Sequence, residues 1–535
     1  MRLILFCFGI LLSSSLFSQS TKNLKRVELG IKLSDYVTTN DTGLNKIRDA
    51  IYERSVLNKL YPPLPPSLPN CWFSPGGVYV GQWVWDTMFQ LIAFAPLNQD
   101  TVIRNVFENY WNAIDKNAEA PMGSFRYGMV PNFINPQNWP PLGYSQIPIL
   151  GWGCWSIYQQ TNDIELIKRA FPYLELFDNW YSTERDIDND GLIEFGAYKP
   201  IGTTDILQTA RYETFDFNPA MDDMQLTVNP NHESGKWYGN VEGVEQTCFL
   251  ILQEQAMVKM AILLGENEKA TFYQKLVEKR IGAVQTKMWD PKTQFFYSLD
   301  RDSDKKIMTK NLMAFLTLTC GAATKTQAEA LVKHLTNPNE FWSKLPVPTC
   351  SLDDPKYDTK IGKQPQLMWR GDVWPATNYF VAMGLQKYGY RQTAEKLTNK
   401  MLEIMKLNGI NERYDPKTGI GLGVKDLGMS CSIWSMVVQQ IYGIQDDFRT
   451  IIVPQHPEGK KLKLGKIELA YPANNSLELK SSFEREFSVV LSEKGKKTIE
   501  LTCDGLIQKD FAWKNSSSTL IFKAKPSKDY RIKWE

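Results

Sequence analysis

Four segments of this chain put a carboxylic acid beside aromatic rings: Trp83-Val84-Trp85-Asp86, Phe217-Asn218-Pro219-Ala220-Met221-Asp222-Asp223, Trp369-Arg370-Gly371-Asp372-Val373-Trp374 and Asn411-Glu412-Arg413-Tyr414-Asp415. A ring offers a flat apolar face that suits the C–H side of a sugar, and a carboxylate accepts hydrogen bonds from hydroxyls and moves protons. The chemistry this pairing suggests is carbohydrate cleavage. Breaking a glycosidic bond usually takes two carboxyl groups, one to protonate the leaving oxygen and one to activate water or attack carbon. Asp222 and Asp223 are neighbours in a stretch, 211–240, with few helix signals. Two adjacent acids can raise each other's pKa, as a general acid requires; a solvated turn or a helix cap is the plainer reading. Glu412 is followed by Arg413, which could hold it ionised as a base, or simply pair with it at the surface.

Segments this far apart in sequence need a fold that gathers distant loops at one mouth. From about residue 41 to 445 the pattern is helical. Thr247–Leu264 carries two apolar stripes, so it predicts a helix buried on much of its circumference and stopped by Gly265. Helix pairs are expected at 145–160 with 163–183, at 309–319 with 326–336, where Thr326 and Glu329 fit a capping box, and at 373–388 with 391–406. Roughly a dozen paired helices, with short links on one side and long links on the other, describe an (α/α)6 toroid whose long loops build the pocket mouth. No fixed repeat of solenoid length occurs. From about Ile451 the apolar residues alternate, as in Phe487/Val489/Leu491 and Tyr530/Ile532/Trp534, which predicts a small antiparallel β-sandwich. The division expected is a signal peptide at 1–20, a toroid at 21–448 and the sandwich at 449–535.

Composition narrows the function classes. With 61 basic and 59 acidic residues the formal charge is +2, so nothing calls for nucleic acid or an anionic membrane as partner. Arg2, the apolar run Leu3–Leu12 and the small residues up to Ser20 read as a secretory signal, too short to span a bilayer. An exported protein, periplasmic or extracellular, without membrane insertion, is the expectation. Three histidines, at 232, 334 and 456, leave little room for a histidine metal centre or a uronate lyase, and no CxxC occurs.

Five segments in order resemble a known family: Trp85-Asp86, Ser145-Gln146-Ile147-Pro148, Asp186-Ile187-Asp188-Asn189-Asp190-Gly191-Leu192-Ile193-Glu194, Trp369-Arg370-Gly371-Asp372-Val373-Trp374-Pro375 and Glu412-Arg413-Tyr414-Asp415. They look like the inverting glycosidases of glycoside hydrolase family 63 and their trehalase and mannosylglycerate-hydrolase relatives. The resemblance spans about residues 70–440. It implies an exo-acting inverting enzyme for α-linked sugars, α-glucosides first, with Asp222 as general acid and Glu412 as general base. It also implies that Trp85, Asp86, Gln146, Trp369, Arg370, Trp374 and Tyr414 contact the sugar. The acid segment departs from the family pattern: Ala220 stands where Gly is usual and the trailing Pro is missing, so Asp223 and Glu233 remain rivals of Asp222. No cofactor is required. The Asp186–Glu194 loop has acids at positions one, three and five and Gly at six, as in a calcium loop, but position twelve is Ala197. A structural calcium on Asp186, Asp188 and Asp190, or a plain helix–helix turn, are both open. The rival functions are a toroid-type polysaccharide lyase, a phosphorylase, or a sugar-binding relative without catalysis.

Overall fold

The computed structural model describes residues 25–118, 127–134, 145, 147–194, 241–301, 303–345, 347–357, 359, 369–491 and 497–535. The expected signal peptide, Gln146 and the 211–240 stretch with Asp222, Asp223 and Glu233 lie outside them.

Among the described residues the α-helices are α1 Thr42–Ile51, α2 Val84–Phe94, α3 Asp100–Ala118, α4 Leu150–Thr161, α5 Ile164–Glu184, α6 Val244–Leu264, α7 Asn267–Ala283, α8 Leu316–Cys320, α9 Lys325–Leu335, α10 Pro375–Lys387, α11 Arg391–Asn408 and α12 Ser432–Met436. Every second one is inner. Helix α2 packs on α4, α4 on α6, α6 on α8, α8 on α10, α10 on α12, and α12 returns to α2, which closes a ring of six. The sequence reason is apolar coverage. All residues of α2 are buried, whereas the outer α11 buries one stripe, Ala394, Leu397, Thr398, Met401, Leu402, Ile404 and Met405. Helix α6 is long and apolar enough to cross a membrane. Its composition instead reflects neighbours on both flanks, α4 and α8 beside it and α7 behind.

Short turns at 95–99, 162–163, 265–266, 321–324 and 388–390 join the C-terminal ends of the first five inner helices to their outer partners. The inner N-termini therefore share the end that carries the long links. Gly265 stops α6 at φ +79°, a left-handed position that suits a residue without Cβ. The capping box of α9 exists, but two residues earlier than expected: Thr324 accepts from Gln327 N–H, and the Gln327 side chain accepts from Thr324 N–H.

After the ring the chain builds two sheets. The four-stranded one orders Thr450–Ile452, Arg485–Val490, Thr519–Ala524 and Phe511–Lys514. The seven-stranded one includes Lys461–Leu464, Ile467–Ala473, Ser476–Ser481, Asp529–Trp534 and Ile499–Cys503. Phe522 of the first meets Tyr530 of the second at 5.2 Å between centroids, so the alternating apolar residues fill the space between them. Two features differ from a self-contained antiparallel sandwich. Thr450–Ile452 pairs parallel with Arg485–Val490. The edge of the larger sheet is Val37–Thr39, from the N-terminal side of the ring, paired with Lys461–Leu464. Three-residue strands like Val37-Thr38-Thr39 carry too little alternation to be assigned to a sheet from local pattern.

Candidate active site

The mouth is assembled where the inner helices begin. Strand Gln82–Trp83 leads directly into α2 and places Asp86 in its first turn. Trp374 is the N-cap of α10, whose first residue is Pro375, a position where the missing N–H is no loss. The turn Gly428–Cys431 precedes α12 and brings Met429 beneath α2. Glu412 stands in the strand Asn411–Tyr414, which forms a hairpin with Gly421–Lys425 in the long link between α11 and α12.

Glu412 is 2 % exposed and each of its oxygens has a donor. The Tyr79 hydroxyl donates to Oε1 at 2.9 Å. Val424 N–H donates to Oε2 at 2.7 Å, and the Arg413 guanidinium lies 3.3 Å from the same oxygen. Arg413 is in turn fixed by Asp372, whose Oδ2 accepts from its Nε at 2.7 Å, with both side chains buried. Charge-assisted bonds of this kind hold a carboxylate still. Gly423 makes room for them. It sits at φ +71°, and a Cβ there would fall 2.1 Å from Glu412 Oε2.

Asp86 is the second carboxyl of the cluster. It accepts from Met429 N–H at 3.2 Å, which favours the ionised form, but burial and the nearby Glu412 push its pKa up to about 7. A third acid, Glu245, occupies the first turn of α6 at the same end. Burial raises it to about 8, and neither oxygen has a partner among the described residues.

The rings divide into two groups. Trp83, half-buried, stacks on Phe133 at 4.4 Å and meets Tyr79 edge-on at 5.6 Å, so it borders the Tyr79–Glu412 bond. Trp85, expected as a sugar platform, faces the other way. Its ring lies among Phe89, Phe249 and Phe380 at the centre of the helix ring, with its N–H directed to Met429 Sδ at 2.8 Å. The reason is its place two residues further into α2, on the face that meets α6 and α10. Trp369 and Trp374 stack at 3.9 Å, and the Arg413 guanidinium lies 5.7 Å from the Trp374 centroid, so this pair walls Arg413. Arg370 donates through Nε to the Lys356 carbonyl. Tyr414 turns into its own hairpin: its hydroxyl donates to Gly409 O and accepts from Asn411 N–H. It braces the Glu412 strand rather than presenting its hydroxyl at the mouth.

Of the expected site residues, Glu412 and Trp374 thus meet Arg413, Trp369 stacks on Trp374, and Asp86 lies near enough to Glu412 for their charges to interact. Tyr79 and Asp372 complete that group. Asp372 lay within a segment already marked by its rings. Tyr79 carried no such mark beyond the Gly76-Gly77 pair before it, whose positive φ values bend the loop onto Val424. Away from this cluster, Asp186, Asp188 and Asp190 bring one oxygen each within 4.8 Å of one another at the C-terminal end of α5.

A closed ring of paired helices with buried, donor-held carboxyls and rings at its mouth defines a glycoside hydrolase of the toroid class. Residues 79–430 match the family model of the mannosylglycerate hydrolase MGH1-like glycoside hydrolase domain, and the chain belongs to that family. The mannosylglycerate hydrolase of Thermus thermophilus is 23 % identical over 399 residues, covering 67 % of this chain and 94 % of the relative. Human trehalase is 21 % identical over 260 residues, 43 % of this chain and 42 % of its own length. Among solved structures, the GH63 mannosylglycerate hydrolase of Thermus thermophilus in complex with glucose superposes with TM-score 0.55 at 20 % identity, over 73 % of this chain and all of that one. The α-L-rhamnosidase of Dictyoglumus thermophilum superposes with TM-score 0.54 at 15 % identity over 93 % of this chain and 50 % of its own. These likenesses establish the fold.

Proposed function

We propose that this chain is an exported, inverting exo-glycosidase for small α-linked glycosides, with residues 21–448 as its catalytic part. Asp222, matched to the family's acid by its motif, protonates the leaving oxygen. Glu412 takes a proton from a water molecule as that water attacks the anomeric carbon from the opposite face. The glycosidic bond breaks, the sugar leaves with inverted configuration, Glu412 ends protonated and Asp222 ionised, and solvent restores both. Asp86 accepts from hydroxyls of the bound sugar, and Trp83 borders its apolar face. Inverting geometry leaves about 6.5–9.5 Å between the two carboxyls for the water.

The observation that carries this reading is the three-donor clasp on Glu412 beside a buried Asp86. A base must not move, and the clasp supplies that property. The relatives' names make mannosylglycerate the first substrate to try, with trehalose and other α-glucosides as the second group. Purified protein is tested on both groups, and the anomer released is read by NMR before mutarotation. Release of the β-anomer supports the proposal; release of the α-anomer, or an unsaturated product absorbing near the lyase band, removes it. Mass measurement of the protein recovered outside the cytoplasm tests export and cleavage after about residue 20.

A further inference from the structure

Helix α6 begins with a polar group that the ring does not answer. Glu245 lies in its first turn and is 0 % exposed, and neither carboxyl oxygen has a hydrogen-bond partner among the described residues. Gln246, next in the chain, is buried and equally unpartnered. Further along the same helix an acid is treated differently: Glu254 is also buried, and Arg280 donates to it through Nε at 2.6 Å. A carboxyl taken out of water without a donor or a cation costs the folded state, whereas an apolar side chain at the same place would not. A buried polar group left without a partner calls for a reason other than stability.

The place of Glu245 in the helix supplies one. It stands four residues before Phe249, so the two share a face of α6 and Glu245 lies about one turn, ~5.4 Å, nearer the mouth. Phe249 points into the centre of the ring, where it meets Trp85 of α2 at 5.7 Å and Phe380 of α10 at 5.2 Å. Asp86 follows Trp85 in the first turn of α2, as Glu245 stands in the first turn of α6. Side chains of a helix lean towards its N-terminus, which for the inner helices is the mouth. The layer formed by Trp85, Phe249 and Phe380 is thus the floor of the pocket, and Asp86 and Glu245 rise from it on two walls. Burial raises the pKa of Glu245 to about 8, so at neutral pH the group keeps its proton and can both donate and accept, the two roles a sugar hydroxyl also has.

We propose that Glu245 is a sugar-binding residue that sets specificity: from the α6 wall it hydrogen-bonds a non-reacting hydroxyl of the terminal sugar, beside the hydroxyls held by Asp86. The assignment rests on the glycosidase reading of the site.

The test compares the wild type with Glu245→Leu, Glu245→Met and Glu245→Gln, all as the full chain. Melting is recorded without additive, in D-glucose, in D-mannose, and in sorbitol at the same concentration as a polyol that acts only by exclusion from the surface. Without additive, at least one of the two apolar variants should melt about 1 °C or more above the wild type, because the unpartnered carboxyl is gone. Glucose or mannose should raise the wild-type midpoint further than sorbitol does, and the apolar variants should lose that excess. On whichever p-nitrophenyl α-glucoside or α-mannoside the wild type cleaves, the apolar variants should lose roughly 5- to 150-fold in kcat/KM, and Glu245→Gln less. Across the monodeoxy analogues of that substrate, removal of one hydroxyl should cost the wild type a similar factor and cost the apolar variants nothing further. Apolar variants that both melt below the wild type overturn the proposal in favour of a packing role. A sugar response or a deoxy pattern unchanged from the wild type overturns it in favour of an acid that meets no substrate, and the glycosidase reading then stands on wild-type turnover. A wild type that neither cleaves nor responds to any of these sugars overturns both.

Discussion

Replacing Asp86 by Asn should make the enzyme less active and, above neutral pH, more stable. Asp86 is 7 % exposed, and its carboxyl moves from the usual 3.8 to about 7, chiefly by burial and secondarily by Glu412. At 1.36 kcal/mol per pH unit, that displacement sets a ceiling of about 4 kcal/mol on what the ionised form costs the folded state. The sign follows from which state binds more protons. Between pH 3.8 and 7 the folded protein holds a proton that the unfolded chain has released, so this stabilisation is present at low pH and is lost as pH rises through 7. Asn is neutral throughout and never carries that cost. The gap between wild type and Asp86→Asn should therefore be smallest near pH 4, widen progressively up to about pH 7 and stay level above that, the variant higher. Activity should move the other way. A carboxylate accepting from a sugar hydroxyl is worth about 1.5–3 kcal/mol, so kcat/KM should drop roughly 10- to 150-fold at pH 8. The wild-type profile should fall on its acid side near pH 7 as Asp86 takes up a proton, and that limb should flatten in the variant. A melting difference that is the same at pH 5 and pH 8 would refute the argument that burial, rather than packing of the side chain, governs this position. A wild-type acid limb that survives in Asp86→Asn would show that another group sets it.

Other outcomes follow from the same cluster. Glu412→Gln and Asp222→Asn should each lower kcat at least about 10²–10⁴-fold while substrate binding by calorimetry persists; near-normal turnover in either removes that residue from the mechanism. Gly423→Ala puts a methyl where the Glu412 carboxylate lies, at a backbone angle that disfavours it, so kcat should fall by about two orders of magnitude with the helical circular dichroism unchanged. Asp372→Ala leaves the buried Arg413 charge without its 2.7 Å partner and should destabilise the protein by about 3–5 kcal/mol in urea titration, with activity lost even where it stays folded.

Helical spacing in the sequence carried the ring, because a helix buried on two flanks, such as α6, shows two apolar stripes and an outer helix such as α11 shows one. Exact starts were harder to read. Thr324 with Gln327 and Thr326 with Glu329 both satisfy the capping pattern, and only the packing of α9 selects the first. The rings of Trp83-Val84-Trp85 could not be sorted locally, since which one faces the mouth depends on α2 starting at Val84 and on what lies across the ring from it. Arg413 beside Glu412 was visible as neighbouring charge. The Tyr79 hydroxyl, 333 positions away, was not, because two loops with no shared pattern meet only when the toroid closes. The calcium-like spacing of Asp186, Asp188 and Asp190 was equally visible, whereas Lys287, whose ammonium lies 2.5 Å from Asp190, comes from the far end of the next helical hairpin.

The strand Val37–Thr39 sits at the edge of a sheet whose other strands follow the whole ring, and Asn40 bonds across to Gly459, 419 positions away. Contacts of that span form late, because the loop they close contains nearly every other element. A chain cut between the ring and the sheets would not yield two modules. The ring would carry an unpaired strand with its ladder groups bare, and the sheet would expose the edge that this strand covers, an invitation to pair with another molecule. The two ends act as a single seam, stitched only once the last sixth of the polypeptide is present, and truncation there should produce aggregation before it produces a smaller working enzyme.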